Sequence, residues 1–170
     1  KEVGWFAAAM TLIEALNTLP RIAGMYSIPN IIRIEDTHTR ARFKLQTVFI
    51  VLGLLAVSAV FFWVIAGWLV PFLFGDDFTE AVEIFRILLL GVVFFGGFHL
   101  IQAIINAEDH SGRIILAPAV AAIIMLTSAW FVFESHGAVG AAYVWLAANI
   151  CAMITSGWVA LRIHRTISSN

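Results

Sequence analysis

Long apolar runs separated by short polar breaks make up almost the whole chain. The first, near 4–28, is the least uniform, interrupted by Glu14, Asn17, Pro20 and Arg21. The second, near 47–73, has no charged residue, and the third, near 85–106, carries Arg86 at its start. The fourth and fifth lie near 114–133 and 138–161. Each is close to the roughly 20 residues that cross a hydrocarbon layer of about 30 Å. None alternates with a period of two, and backbone groups in lipid must be bonded internally, which leaves helices. The pattern predicts an all-α integral membrane protein, residues 1–170 forming one bundle of about five transmembrane helices.

The breaks carry turn chemistry. Pro29-Asn30 is read as the exit from the first helix, and the polar stretch Arg33 to Lys44 as the link to the second. Gly75-Asp76-Asp77, the stretch Asn106 to Arg113, and Glu134-Ser135-His136-Gly137 are read as the remaining turns. If five helices alternate in direction, Arg33, Arg40, Arg42, Lys44, Arg113, Arg162 and Arg165 fall on one side, against Lys1 and Arg86 on the other. Basic loops stay cytoplasmic, so the start of the chain is expected outside and its tail inside. Trp5, Trp68 and Trp158 sit near helix ends, where interfacial rings belong.

Composition agrees with a lipid solvent. Hydrophobic residues are 61% of the chain and charged residues 12%, against roughly 45–50% and about 25% in soluble domains. A net charge of −1 offers no field for nucleic acid. The single cysteine, Cys151, cannot form a disulfide within the chain. The chain enters its first apolar run directly from Lys1, without a signal-peptide pattern. Two readings of that start stand: a processed N-terminus, or the C-terminal portion of a longer protein, which is the expectation adopted.

Candidate chemistry concentrates on the first helix. Glu14, Asn17 and Arg21 are spaced i, i+3, i+7 and are expected on one face. Intramembrane charge is costly and marks pathways or paired contacts. Arg21 is a candidate contact for an anionic group such as a phosphate, and Glu14 for a cation or proton. The other reading is a structural ion pair or snorkelling. Pro20 can free a carbonyl and kink the helix. His99, Gln102 and Asn106 repeat the same spacing on the third helix. They suit interhelical hydrogen bonds, or a relay from His99 to Glu14 if the two helices face each other. Gly137, Ala138, Ala141 and Ala142 permit close helix packing. No metal-ligand set, phosphate-binding loop or nucleophile motif is present, so no catalytic residue, metal or cofactor is assigned.

Several segments, in order, resemble one family. They are Val3-Gly4-Trp5 with Leu19-Pro20 and Pro29, then LVPFLFGDDF from Leu69 to Phe78. AVEIFRILLLG with Arg86 follows, then SGRIIL, then SHGAVGAAYVWLAANI with Gly137, Gly140, Ala141 and Ala142. Together they resemble the lipid-linked oligosaccharide and polysaccharide flippases of the multidrug/oligosaccharidyl-lipid/polysaccharide exporter superfamily. The resemblance implies a MATE-like fold of two six-helix bundles, this chain being most of the second and lacking the N-terminal bundle. It also implies alternating access, a cationic cavity, a bacterial-type cytoplasmic membrane and a lipid-linked sugar substrate. Glu14 and His99 are not family signatures. Glu14 keeps a drug/cation antiporter of the same superfamily open. A membrane-embedded glycolipid transferase would have only Glu35, Asp36 and His38 in its longest polar link, and a small complete five-helix scaffold is the remaining alternative.

Overall fold

A computed structural model describes residues 1–34, 36–107 and 115–168. Among these residues the protein is helical, with no strand. Its elements are α1 (Glu2–Arg33), α2 (Thr37–Phe74), a 3-10 turn (Asp76–Phe78), α3 (Ala81–Ala107) and α4 (Leu116–Ser168). Helical geometry in α4 is broken at Gly137, with φ 56° and ψ −142°, so α4 consists of two arms, 116–136 and 138–168. Five helical segments result.

Three stretches are long and apolar enough to cross a membrane: Thr39–Phe74, Ala81–Asn106 and His136–Arg162. α1 is not among them, diluted by Thr11, Glu14, Asn17, Thr18 and Arg21. The first arm of α4 contributes the shorter apolar stretch Leu116–Ser128.

The boundaries correct the sequence reading in three places. α1 runs through Pro29 to Arg33, so Pro29-Asn30 does not end it. α2 starts at Thr37, ten residues before the apolar run, and Arg40, Arg42 and Lys44 lie on its first turns rather than in a loop. The cause is local. Asp36 caps the helix by accepting from the Thr39 backbone N–H at 2.8 Å. Arg40 Nε donates to the Ile34 carbonyl at 2.8 Å, closing the short link. Third, the Glu134 to Gly137 turn narrows to a break at Gly137 alone. The breakpoints at Gly75 and at the start of α3 fall within a few residues of expectation. The expected turn over 108–113 lies outside the described residues.

α3 is the centre of the bundle. Phe85, Leu88, Leu89 and Val92 are buried, and α1, α2 and α4 all pack on it. Glycines on α3 receive bulky neighbours. A Cβ at Gly91 would collide with the Trp145 ring, and one at Gly96 with the Leu55 side chain. The second arm of α4 lays Ala138, Ala142, Trp145, Asn149, Ala152 and Ser156 on α3, all buried at alternating spacings of four and three. That is the narrow seam of helices crossing at a shallow angle.

Paired positions fix the relative directions. Gly91 meets Trp145, Gly97 meets Met153 and Gln102 meets Ser156, so α3 and the second arm of α4 run parallel. Arg86 lies by Gly67, Gly96 by Leu55 and Gly97 by Leu52, so α2 runs opposite to α3. Trp5 Nε1 donates to the Asp77 carbonyl at 2.9 Å, and Pro20 lies against Gly96. Hence α1 also runs parallel to α3. At the starting end of α1, Glu2 Oε2 accepts the Ala138 backbone N–H at 3.2 Å. This carboxylate satisfies one of the open N–H groups that begin the last helical arm.

Candidate functional site

The face of α1 turned away from α3 carries Ala7, Thr11, Glu14, Thr18, Arg21 and Met25, all exposed. Their spacings alternate four and three, which confines them to an arc of about 80° on a 3.6-residue helix. The core face of the same helix carries Ala9, Ile13, Leu16 and Pro20, all buried. The two hydroxyls are satisfied within the helix: Thr11 Oγ1 donates to the Ala7 carbonyl at 2.9 Å and Thr18 Oγ1 to the Glu14 carbonyl at 3.2 Å. Neither the Glu14 carboxylate nor the Arg21 guanidinium has a hydrogen-bond or ion-pair partner among the described residues.

Asn17 departs from its two companions. It is 4% exposed, and its Oδ1 has no hydrogen-bond partner among the described residues. Three residues of helix rotate it about 60° from Glu14, toward the core, whereas Arg21 returns to within about 20° of Glu14. The three polar residues therefore divide between two environments. The Leu16 carbonyl, which would pair with the N–H of residue 20, is freed by Pro20 on the same buried side.

α1 and α3 do face each other, but Glu14 lies on the outward stripe of α1, and no hydrogen bond joins it to His99 among the described residues. The His99 ring is half-buried and sits edge-on to Phe95 and Phe98, with centroids 4.2 and 4.9 Å away. Gln102 is buried and its Nε2 donates to Ser156 Oγ at 3.2 Å, an interhelical bond of the expected kind. Asn106 is exposed at the end of α3. Among the described residues the stripe on α3 thus supplies a helix-to-helix bond through Gln102.

Arg86 is the polar residue whose place the sequence did not reveal. Its Nε donates to the Trp63 carbonyl on α2 at 3.3 Å, and its guanidinium carbon lies 4.9 Å from the centroid of the Trp63 ring. Pro71 removes the helical donor for the Gly67 carbonyl, and Arg86 reaches that same turn of α2. An arginine one turn inside an apolar run was the available signal. Among the described residues no group of three His, Cys, Asp or Glu side chains could hold a metal ion.

Comparison of the chain with protein-family models, with curated proteins and with solved structures finds no match.

Proposed function

We propose that the protein is a membrane transporter of the flippase type, moving a lipid-linked oligosaccharide across the cytoplasmic membrane by alternating access. One observation carries the reading: α1 presents Glu14 and Arg21, with no hydrogen-bond or ion-pair partner among the described residues, on the face turned away from α3. Hydrocarbon is a poor neighbour for such a face, with a central charge costing at least about 2.5 kcal/mol. A water-filled lateral path between this bundle and a second one, as in a MATE-like arrangement, removes that cost. A phosphate-bearing, sugar-loaded lipid head requires a polar and cationic path, and Arg21 supplies a planar guanidinium suited to phosphate oxygens. The ordered segments that resemble those of polysaccharide flippases, from Val3-Gly4-Trp5 to Gly140-Ala141-Ala142, support the same reading. With the cytoplasmic side taken from the basic residues at the end of α1 and on the first turns of α2, Arg33, Arg40, Arg42 and Lys44, the start of α1 faces outward.

The test is transport by the full-length protein carrying Arg21→Ala. Loss of a charge-assisted phosphate contact predicts at least about a tenfold drop in translocated lipid-linked sugar, with membrane insertion unchanged. Undiminished transport in a normally inserted variant overturns the reading. A drug/cation antiporter of the same superfamily is the second reading, favoured by Glu14. It predicts that Glu14→Gln abolishes cation-driven drug export, while the flippase reading predicts that no drug is exported at all.

A further inference from the structure

Arg86 stands in the second turn of α3 and reaches across to α2. Among the described residues one of its five N–H donors is spent, Nε on the Trp63 carbonyl. The four on Nη1 and Nη2 have no hydrogen-bond partner among the described residues. The surface of α2 beside Arg86 is exposed at Gly67. A Cβ there would meet nothing within 4 Å except Arg86 Nη2, at 3.9 Å. The surrounding surface is apolar and faces outward: Val60, Val64, Trp63 and Leu90 are 65%, 67%, 48% and 54% exposed. Trp68, adjacent to Gly67, is exposed and stacked on Phe72, the setting of an interfacial ring.

A second charge completes the pattern. Glu83 precedes Arg86 by three residues, on the same side of α3 and about 4.5 Å nearer the helix start. It is exposed, and Glu80, Asp77 and Asp76 lie beyond it. Along this outward-facing α2–α3 surface the order from the bilayer interior is therefore apolar side chains, guanidinium, carboxylate. A lipid with acyl chains, then phosphate, then a primary ammonium matches that order.

We propose that this surface binds a zwitterionic aminophospholipid of the phosphatidylethanolamine type, with its phosphate on Arg86 Nη1 and Nη2 and its ammonium on Glu83. The two-carbon spacer between phosphate and ammonium is comparable in length to the step from Arg86 to Glu83. A lipid of net negative charge would meet the carboxylates of Asp76, Asp77, Glu80 and Glu83 unfavourably. A choline lipid has no N–H to donate to Glu83. Free phosphate would leave the apolar surface uncovered and face the same carboxylates. The site is independent of the transport reading and stands or falls separately from it.

Native mass spectrometry of the full-length protein in detergent, given equal amounts of ethanolamine, glycerol and choline phospholipids, tests the site. Wild type is expected to retain the ethanolamine lipid most. Arg86→Ala should lower its retention at least about tenfold. Glu83→Gln should leave total lipid retention intact and abolish the preference for ethanolamine over choline. Millimolar inorganic phosphate should displace none of it. Preference for the glycerol lipid, unchanged retention in Arg86→Ala, or unchanged selectivity in Glu83→Gln overturns the proposal. Displacement by inorganic phosphate would reassign the site to free phosphate and overturn it equally. Glu83 is exposed, so Glu83→Gln decides the matter even if Arg86→Ala fails to fold.

Discussion

Gly137 begins the last helical arm with a backbone that a side chain resists. Its φ of 56° with ψ of −142° lies in a region almost confined to glycine. The space where a Cβ would stand is filled by the Glu2 carboxylate, which accepts the Ala138 N–H. Gly137→Ala therefore strains the backbone and displaces the carboxylate together. A loss of about 1–3 kcal/mol is expected from the backbone alone, readable as a lower melting temperature of the detergent-solubilised protein. Glu2→Gln keeps an acceptor oxygen and should cost less than Gly137→Ala. Equal costs would show that charge at the helix start, not backbone geometry, dominates. A similar logic holds at Gly91, where even a methyl group meets the Trp145 ring. Gly91→Ala should destabilise by about 1–3 kcal/mol, the usual range for overpacking; an unchanged melting temperature would show that Trp145 can move aside.

At the scale of elements, α2 shows how a helix outruns its apolar run. Its 38 residues span about 57 Å, nearly twice a hydrocarbon layer of roughly 30 Å. The extra turns depend on Asp36, whose side chain accepts from both the Thr39 backbone N–H and its hydroxyl. Asp36→Ala should fray the turns around Arg40 and Arg42, costing about 1 kcal/mol. Faster amide exchange confined to the first two turns of α2 would be the sign; exchange unchanged there would show that the cap is dispensable. Hydropathy locates where a chain is apolar, and so it found five segments, the Gly75 break and the start of α3. It is blind to helices that continue into water, where caps such as Asp36 and side-chain bonds such as Arg40 to Ile34 set the boundary. Pro29 misled for a related reason. Proline is a probable helix end rather than a certain one, and α1 carries its helix past it. The candidate site was legible in the same measure. Spacing put Glu14, Asn17 and Arg21 on one broad side of α1, but the edge of the core falls between Asn17 and its companions. Only the packing of α1 on α3 decides where that edge lies. The partner of Arg86 was out of reach because Trp63 stands 23 residues away on another helix.

For the molecule as a whole, two outward faces at the same depth differ in chemistry. Pro20 of α1 and Leu55 of α2 both meet Gly96, so Thr18 on α1 is level with Val57 on α2, and Thr11 with Val64. Val57 and Val64 are 69% and 67% exposed on an apolar helix surface, as lipid contact requires. Thr11 and Thr18 are exposed on the stripe that bears Glu14 and Arg21. If that stripe lines an aqueous path, the two faces must differ in their access to water despite equal depth. With Cys151 first replaced by alanine, single cysteines at Thr11, Thr18, Val57 and Val64 in the full-length protein read this directly. The thiolate, which forms where water reaches the sulfur, attacks a charged, membrane-impermeant thiol reagent. The α1 positions should react at least about tenfold faster than their α2 counterparts, and excess lipid-linked sugar should slow them selectively. Equally slow reaction at all four would mean that another helix covers the α1 face. Glu14 and Arg21 would then be paired across a dry interface, and the transport reading would lose the observation that carries it.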